Sequence, residues 1–223
     1  MNRLIAVSLA LVALAIGAFL SLGRTGPTTP EVSGLVSAAF AQDADIDTSS
    51  VIEMSVGSPD APITLIEYAS YTCPHCASFH KGAYQQIKEN YIDTGKVRLI
   101  YREVYFDRYG LWASMVARCG GPEKFFGIND IIYDTQAEWT RAGGPAEIAG
   151  ELRKIGLLAG LDKDALEACL SDGTKAQTLV AWYQENAEAD DVTGTPSFVL
   201  NGRKIANQSY ADFARLFDEE LGS

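Results

Sequence analysis

An apolar strand that leads directly into a helix is the feature that most restricts how this chain can fold. The stretch ITLIEYAS, residues 63–70, is too apolar for a half-exposed strand and predicts one buried on both faces. Apolar residues then recur at helical spacing as far as Tyr91, and GKVRLIYREV, residues 95–104, predicts a second buried strand. Strand, helix and strand in this order predict a βαβ unit with a parallel pair of strands.

The rest of the chain predicts a helical block followed by a hairpin. Residues 109–191 show no strand pattern, and glycines at 120–121, 143–144, 160 and 173 divide them into several helices. Asn201-Gly202 lies between two apolar runs, which is a strong hairpin signal. A last helix is expected at about residues 210–221. Together these elements predict an α/β fold with a mixed sheet and an inserted helical subdomain.

The N-terminal residues predict export. Residues 4–22 form an apolar run behind the basic Arg3, which is typical of a secretory signal or a membrane anchor. The sequence Ala39-Phe40-Ala41 fits an A-x-A cleavage site, so we expect a signal peptide or membrane anchor at 1–41 and a lead-in segment at 42–61. The lead-in segment is expected to contain at most one short strand, near Val51–Met54. The protein is then expected in the periplasm, or anchored to the inner membrane by residues 4–22 and facing the periplasm.

The overall charge excludes one class of partner. The chain has 18 basic and 29 acidic residues, a net charge of −11. Recognition of nucleic acid usually rests on a basic patch, so nucleic acid is not an expected partner.

Cys73 and Cys76 stand where a redox pair needs them. A residue before proline is pushed out of the helical region, and proline is favoured at the first helical position, so Cys73 is expected to be the N-cap and Pro74 the first helical residue. The Cys73 sulfur then faces free backbone N–H groups and the positive end of the helix dipole, which favour its thiolate. This asymmetry predicts Cys73 as the nucleophile and Cys76 as the resolving thiol, with His75 as a further stabiliser of the thiolate.

Two other interpretations of the cysteines remain open. With His80 the motif extends to Cys-x-x-Cys-x-x-x-His, which predicts half of a zinc site, although the chain has only two histidines and no second Cys-x-x-Cys. The two cysteines could also be buried and inert. Thr195-Pro196, directly before the apolar SFVL, reads equally well as a structural proline entering a strand.

These residues resemble the DsbA-like thiol–disulfide oxidoreductases of the thioredoxin superfamily. The resemblance covers about residues 62–221 and rests on CPHC at 73–76 after a buried strand, on the helical insertion and on Thr195-Pro196 before the hairpin. It divides the thioredoxin fold into a first part at 62–108, a helical insertion at 109–191 and a second part at 192–223.

The resemblance implies roles for three more residues. The bond before Pro196 is expected to be cis, with the proline across from the redox pair, and Thr195 is expected to offer backbone groups to a substrate strand. Glu67, six residues before Cys73, is implied to be a proton acceptor or relay for Cys76. The alternative is that Glu67 lies at the end of its strand and reaches solvent.

The implied function is the introduction of disulfides into unfolded exported proteins by exchange through Cys73–Cys76. The implied reoxidant is a DsbB-like membrane quinone reductase, no cofactor is required, and a monomer is expected. Threonine before the proline is also found in disulfide isomerases, so an isomerase or reductase kept reduced by a membrane partner remains an alternative. A metal-binding chaperone using Cys73, Cys76 and His80 is a second alternative.

Cys119 and Cys169 recur at helical spacing with apolar neighbours, so both are expected to face inward from helices. In an exported protein with four cysteines and one redox pair, the other two are expected to form a structural disulfide. The alternative is two free buried cysteines.

Overall fold

Among residues 46–222, five strands form the sheet at the centre of the fold. The structure, a computed structural model, describes residues 46–222. The strands lie in the order β1-β3-β2-β4-β5. β2 and β3 are parallel, and the other neighbours are antiparallel. The strands are β1 Met54–Val56, β2 Ile63–Ala69, β3 Val97–Glu103, β4 Ser197–Leu200 and β5 Arg203–Ile205.

The predicted βαβ unit and hairpin are both present, so the α/β class with a mixed sheet is confirmed. β2 is the central strand, and its apolar side chains are buried as the composition of ITLIEYAS predicts. The hairpin turns at Asn201-Gly202, and Asn201 has a φ of 48°. The short strand expected near Val51–Met54 is displaced toward the C-terminus, since β1 begins at Met54 rather than at Val51 and ends at Val56. A three-residue edge strand carries too little alternation to fix its position.

Most of the helices lie in the chain segments that connect the strands. Two short helices and a π-helical turn, Lys88–Ile92, connect β2 to β3. The helical block lies between β3 and β4, and one helix follows β5. The helices are α1 Pro74–Lys81, α2 Ala83–Ile87, α3 Arg108–Cys119, α4 Gly121–Asp134, α5 Gln136–Trp139, α6 Pro145–Leu158, α7 Lys163–Leu170, α8 Gly173–Ala189 and α9 Tyr210–Leu221.

The junction of α3 and α4 shows why glycines divide the helical block. Gly121 has a φ of +68°, a left-handed conformation that favours glycine. A Cβ on the preceding Gly120 would lie 2.6 Å from the side chain of Ile128. The two glycines therefore allow α4 to fold back closely against the end of α3.

Both faces of the sheet are covered. On one face, Phe198 of β4 packs on Phe79 of α1 and Phe213 of α9, with ring centroids 4.8 Å and 5.0 Å away. On the other face, Tyr68 and Val199 form a small cluster with α8. The helical block is not a separate layer, because its largest apolar cluster includes Tyr71 and Tyr101 beside Cys76.

A buried ion pair and a disulfide fix α3. Arg118 donates to both carboxylate oxygens of Glu103 on β3 at 2.6 Å and to the backbone carbonyl of Ile52 at 2.9 Å. The next residue, Cys119, is bonded to Cys169 on α7, with the Cα atoms 6.0 Å apart. The two contacts hold the helical block against both the sheet and the lead-in segment.

The predicted leader at 1–41 and the first residues of the lead-in segment lie outside the described residues. Within residues 46–222, the structure contains no helix that is both long enough and apolar enough to cross a membrane.

Candidate active site

Cys73 lies at the N-terminus of α1. Its backbone is extended, with φ −82° and ψ 119°, and Pro74 begins the helix. The Cys73 carbonyl accepts the first helical hydrogen bond from Ala77 at 3.2 Å. Cys73 is thus the N-cap, because the following proline keeps it out of the helical region.

The Cys73 thiol is strongly acidified. Its pKa is lowered to about 5, first by a hydrogen bond from the Cys76 thiol and, against the opposing effect of burial, by the Thr195 side chain and the backbone N–H groups of Cys76 and His75. All of these donors favour the thiolate over the thiol. Cys73 is also partly exposed, so its sulfur can be reached from solvent.

Cys76 has the opposite environment. It is fully buried and unbonded, so the structure holds the pair in its dithiol form. Its hydrogen bond to Cys73, its burial and the nearby charge of Glu67 all raise the pKa of the Cys76 thiol far above the ordinary range. Two thiols three residues apart therefore differ in both exposure and acidity.

The loop before β4 lies against Cys73. The Thr195–Pro196 bond is cis. In the dithiol form the Cys73 thiol donates to the Thr195 carbonyl at 3.4 Å. The Thr195 hydroxyl is buried and has no hydrogen-bond partner among the described residues, which leaves it free to donate to a Cys73 thiolate. The pairing of Ser197 with Tyr68 on β2 brings this loop to the end of the strand that precedes Cys73.

His75 is exposed at the start of α1. Its backbone N–H lowers the pKa of Cys73. The predicted contribution of its imidazole stays a prediction.

Glu67 is fully buried on β2 and does not reach solvent. Its Oε1 lies 3.2 Å from Nε2 of His80 on α1, and His80 is only 2% exposed. The charge of Glu67 helps to raise the pKa of Cys76, which places the carboxylate within electrostatic reach of that sulfur. The role of Glu67 as a relay stays a prediction.

The metal interpretation required His80 to join the two cysteines. Among residues 46–222 there is no group of three or more His, Cys, Asp or Glu side chains arranged to hold a metal ion. His80 instead faces Glu67 inside the fold.

Sequence reasoning missed two contacts of the site. Gln136 of the helical block donates to the carbonyls of Tyr71 at 2.7 Å and Cys73 at 2.9 Å, which holds the turn before α1. The pairing of His80 with Glu67 was also missed, because the partners lie on different elements. The four-residue spacing of Cys76 and His80, which puts both on one helix face, was the available signal.

The arrangement has the parts that dithiol–disulfide exchange requires. An accessible sulfur of low pKa can be attacked and can leave as a thiolate, while a buried thiol beside it can close an intramolecular disulfide.

Comparisons with known proteins agree with this geometry. A family model described as thioredoxin matches residues 49–219. A putative protein-disulfide oxidoreductase of Rickettsia bellii is 35% identical over 170 residues, which are 76% of this chain and 64% of that protein. The chain thus spans less than two thirds of the length of this relative.

Two crystal structures are also similar. Wolbachia pipientis alpha-DsbA1 superposes with a TM-score of 0.70 at 30% identity, over 76% of this chain and 91% of that one. A protein-disulfide isomerase from Novosphingobium aromaticivorans superposes with a TM-score of 0.68 at 26% identity, over 77% and 98% of the two chains.

Proposed function

Because the chain belongs to the thioredoxin superfamily, in its DsbA-like branch, we propose that it is an exported thiol–disulfide oxidoreductase that introduces disulfides into unfolded secreted proteins. The observation that carries the proposal is the contrast between Cys73, with a pKa lowered to about 5, and the buried Cys76. Stabilising the Cys73 thiolate lowers the free energy of the reduced pair relative to the disulfide. The Cys73–Cys76 disulfide is therefore a strong oxidant.

In the first step, a client thiolate attacks Cys73 of the Cys73–Cys76 disulfide. Attack falls on Cys73 because Cys76 is buried. The disulfide breaks, its electron pair stays on Cys76, and Cys76 takes up a proton. The new bond joins Cys73 to the client in a mixed disulfide.

In the second step, another thiolate of the client attacks its own sulfur in the mixed disulfide. The client gains a disulfide and Cys73 leaves as a thiolate, so two electrons have passed from client to enzyme. The low pKa of Cys73 makes it a good leaving group. The Thr195 hydroxyl and the backbone N–H groups at the start of α1 stabilise the departing charge.

The surface around Cys73 supports contact with an extended client. We propose that the Thr195 backbone pairs with a client strand, as the resemblance implies. Phe106, 58% exposed, precedes Asp107, whose carboxylate accepts from Thr72 at 2.7 Å, so an apolar side chain lies close in the fold to the turn before Cys73. Unfolded clients expose apolar groups that this surface can cover.

Export, the reoxidant and the oligomeric state are parts of the same proposal. A periplasmic monomer, either free or anchored by residues 4–22, would be reoxidised by a DsbB-like membrane quinone reductase. The acidic net charge of −11 agrees with protein clients rather than nucleic acid.

The test uses the oxidised full-length protein and a reduced, unfolded client that has a known disulfide pattern. The client should gain disulfides as the Cys73–Cys76 pair becomes reduced, as measured by mass spectrometry after acid quenching. Cys73→Ser should be inactive, and the exposed Lys81→Gln should match the wild type. A client that stays reduced beside oxidised wild-type protein would disprove the proposal.

A disulfide isomerase is the second candidate, since one similar structure carries that description. The equilibrium potential against glutathione separates the two. An oxidase should approach about −120 mV, whereas an isomerase should lie near about −180 mV or below.

A further inference from the structure

A carboxylate and an imidazole are paired inside the fold, directly behind the redox cysteines. Oε1 of Glu67 and Nε2 of His80 lie 3.2 Å apart, and the two side chains are 0% and 2% exposed. Isolated charged groups are costly to bury, so a carboxylate at this depth needs a partner such as the imidazole. The exchange mechanism described above gives His80 no role.

The pair is placed to act on Cys76. Cys76 and His80 are four residues apart on α1, so both point to the same side of the helix. Both are buried on that side, where the neighbouring strand β2 presents Glu67. The carboxylate is close enough to Cys76 for its charge to raise the pKa of the thiol. Cys76, Glu67 and His80 therefore form one buried cluster.

The ring of His80 is held by aromatic side chains. It stacks on Tyr133 of α4 with centroids 4.2 Å apart and an interplanar angle of 20°. Tyr84 lies at 4.7 Å, and Tyr101 approaches edge-on at 5.8 Å. The ring orientation is thus fixed with one nitrogen toward Glu67.

Asp130 lies on α4, the same helix whose Tyr133 stacks on His80. Asp130 of α4 is half-buried, and its Oδ1 is buried without a hydrogen-bond partner in the described part of the chain. Burial raises the pKa of Asp130, and the charge of His80 lowers it, so the two groups are electrostatically coupled. Both ring nitrogens of His80 and both carboxylate oxygens of Glu67 also lack a hydrogen-bond partner within residues 46–222, so the 3.2 Å contact between Nε2 and Oε1 is an ion-pair contact.

We infer that His80 is a positioning residue that holds the Glu67 carboxylate beside Cys76 and passes protons between Glu67 and solvent by way of Asp130. This inference deepens the proposed function and rests on it. It assigns His80, a metal-ligand candidate in the sequence, to the proton balance of the exchange reaction.

The proton balance requires such a path. When a thiolate attacks Cys73 of the disulfide, Cys76 leaves with the electron pair and takes one proton from the Glu67–His80 pair. When the disulfide closes again, the Cys76 thiol gives its proton to the pair and its sulfur attacks Cys73 in the mixed disulfide. The bond from Cys73 to the bound partner breaks, and that partner leaves as a thiolate. In each direction the pair exchanges one proton with solvent, and no other reactant is needed.

Titratable side chains of the surrounding elements face the Glu67–His80 pair. They are Cys76 on α1, Tyr84 on α2, Tyr101 on β3, and Asp130 and Tyr133 on α4.

The test follows the oxidation of the reduced full-length protein by oxidised glutathione, without any client. Cys73 first forms a mixed disulfide with glutathione, and Cys76 then closes the disulfide and releases glutathione. Acid quenching and mass spectrometry give the rate of each step. The variants are His80→Phe, His80→Gln and Glu67→Gln, with the exposed Lys81→Gln of the same helix as the matched control.

We expect the His80 variants to slow the second step about tenfold or more, so that the mixed disulfide accumulates, while the first step stays within about twofold of wild type. The rate of the second step should also become proportional to hydroxide concentration, which a purely structural role would not cause. Glu67→Gln should act in the same way, and Glu67→Gln combined with His80→Gln should be no slower than either alone. Asp130→Asn should show a smaller slowing of the same step.

A second step with wild-type rate and pH profile in any folded His80 variant would overturn the inference. His80→Gln keeps a polar side chain, so it is the variant to measure if His80→Phe does not fold. Because glutathione replaces the client, a protein that fails to oxidise clients would refute the proposed function and leave this measurement intact.

Discussion

At the scale of single residues, the position of each cysteine relative to the start of α1 decides its chemistry. Cys73 is outside the helix and faces free backbone donors, whereas Cys76 is one turn inside and faces Glu67. Proline after Cys73 made this contrast predictable from the sequence, because it fixes where the helix begins. The Glu67–His80 contact was not predictable in the same way, since only the folded sheet brings β2 and α1 together.

The contrast in acidity predicts which cysteine reacts first. In the reduced protein at about pH 6, Cys73 is mostly thiolate because its pKa is about 5, and iodoacetamide should label it well before Cys76. Mass spectrometry of the labelled peptides measures the ratio. Preferential labelling of Cys76 would reverse the assignment of nucleophile and resolving thiol.

The buried hydroxyl of Thr195 predicts a second effect on Cys73. Thr195→Val keeps the shape of the side chain but removes a donor to the thiolate, so the pKa of Cys73 should rise from about 5. Thr195→Ser, which keeps the hydroxyl, is the control. The ultraviolet absorbance of the thiolate, measured against pH, gives the pKa. An unchanged pKa in the valine variant would mean that the Thr195 hydroxyl does not stabilise the Cys73 thiolate.

At the scale of elements, the sequence predicted those with strong periodicity or clear ends. The strands at 63–69 and 97–103, the hairpin and the helix at 210–221 are close to their predicted bounds. The insertion was predicted as helical, but its packing was not, because contacts such as Gln136 with the Cys73 turn join residues 63 positions apart. β1 was misplaced since three residues at a sheet edge carry little pattern.

The disulfide between α3 and α7 predicts a loss of stability rather than of activity. Cys119→Ala should lower the free energy of unfolding by about 2–4 kcal/mol, because the bond closes a loop with a sequence separation of 50. Thermal melting measures the change. The rate of client oxidation should stay close to wild type, and a large loss of rate at unchanged stability would give the bond a redox role.

The buried ion pair of Glu103 and Arg118 predicts that removing its cation lowers the stability of the fold. Arg118→Ala leaves a carboxylate of 0% exposure without its cation and frees the Ile52 carbonyl, so it should cost about 3–5 kcal/mol of stability. Urea unfolding measures the loss. Arg153→Ala, which breaks a half-exposed pair with Glu167, is the control and should cost less than about 1 kcal/mol.

At the scale of the whole molecule, the low pKa of Cys73 links stability to pH. Unfolded cysteine has a pKa of about 8.5, so between about 5 and 8.5 Cys73 of the reduced protein binds fewer protons in the folded state than in the unfolded chain. The stabilisation is fully present above about 8.5 and is lost as the pH falls through about 5. Below about 7.5 Cys76 is a thiol in both states and adds almost no slope.

The measurement is the difference in unfolding free energy between the reduced wild type and reduced Cys73→Ser. It should grow as the pH rises from about 4 to about 8. A difference that does not vary with pH would mean that the thiolate is not stabilised by the fold.

The sheet order has a consequence for the order in which the protein is made. β2 and β4 are neighbours, yet Cys73 and Thr195 are 122 residues apart in the chain. A chain that emerges N-terminus first exposes Cys73 and Cys76, and then Cys119 and Cys169, before β4 exists. During that interval all four thiols are available to one another without the loop that covers Cys73. The protein that we propose as a catalyst of disulfide formation therefore begins as a substrate for it.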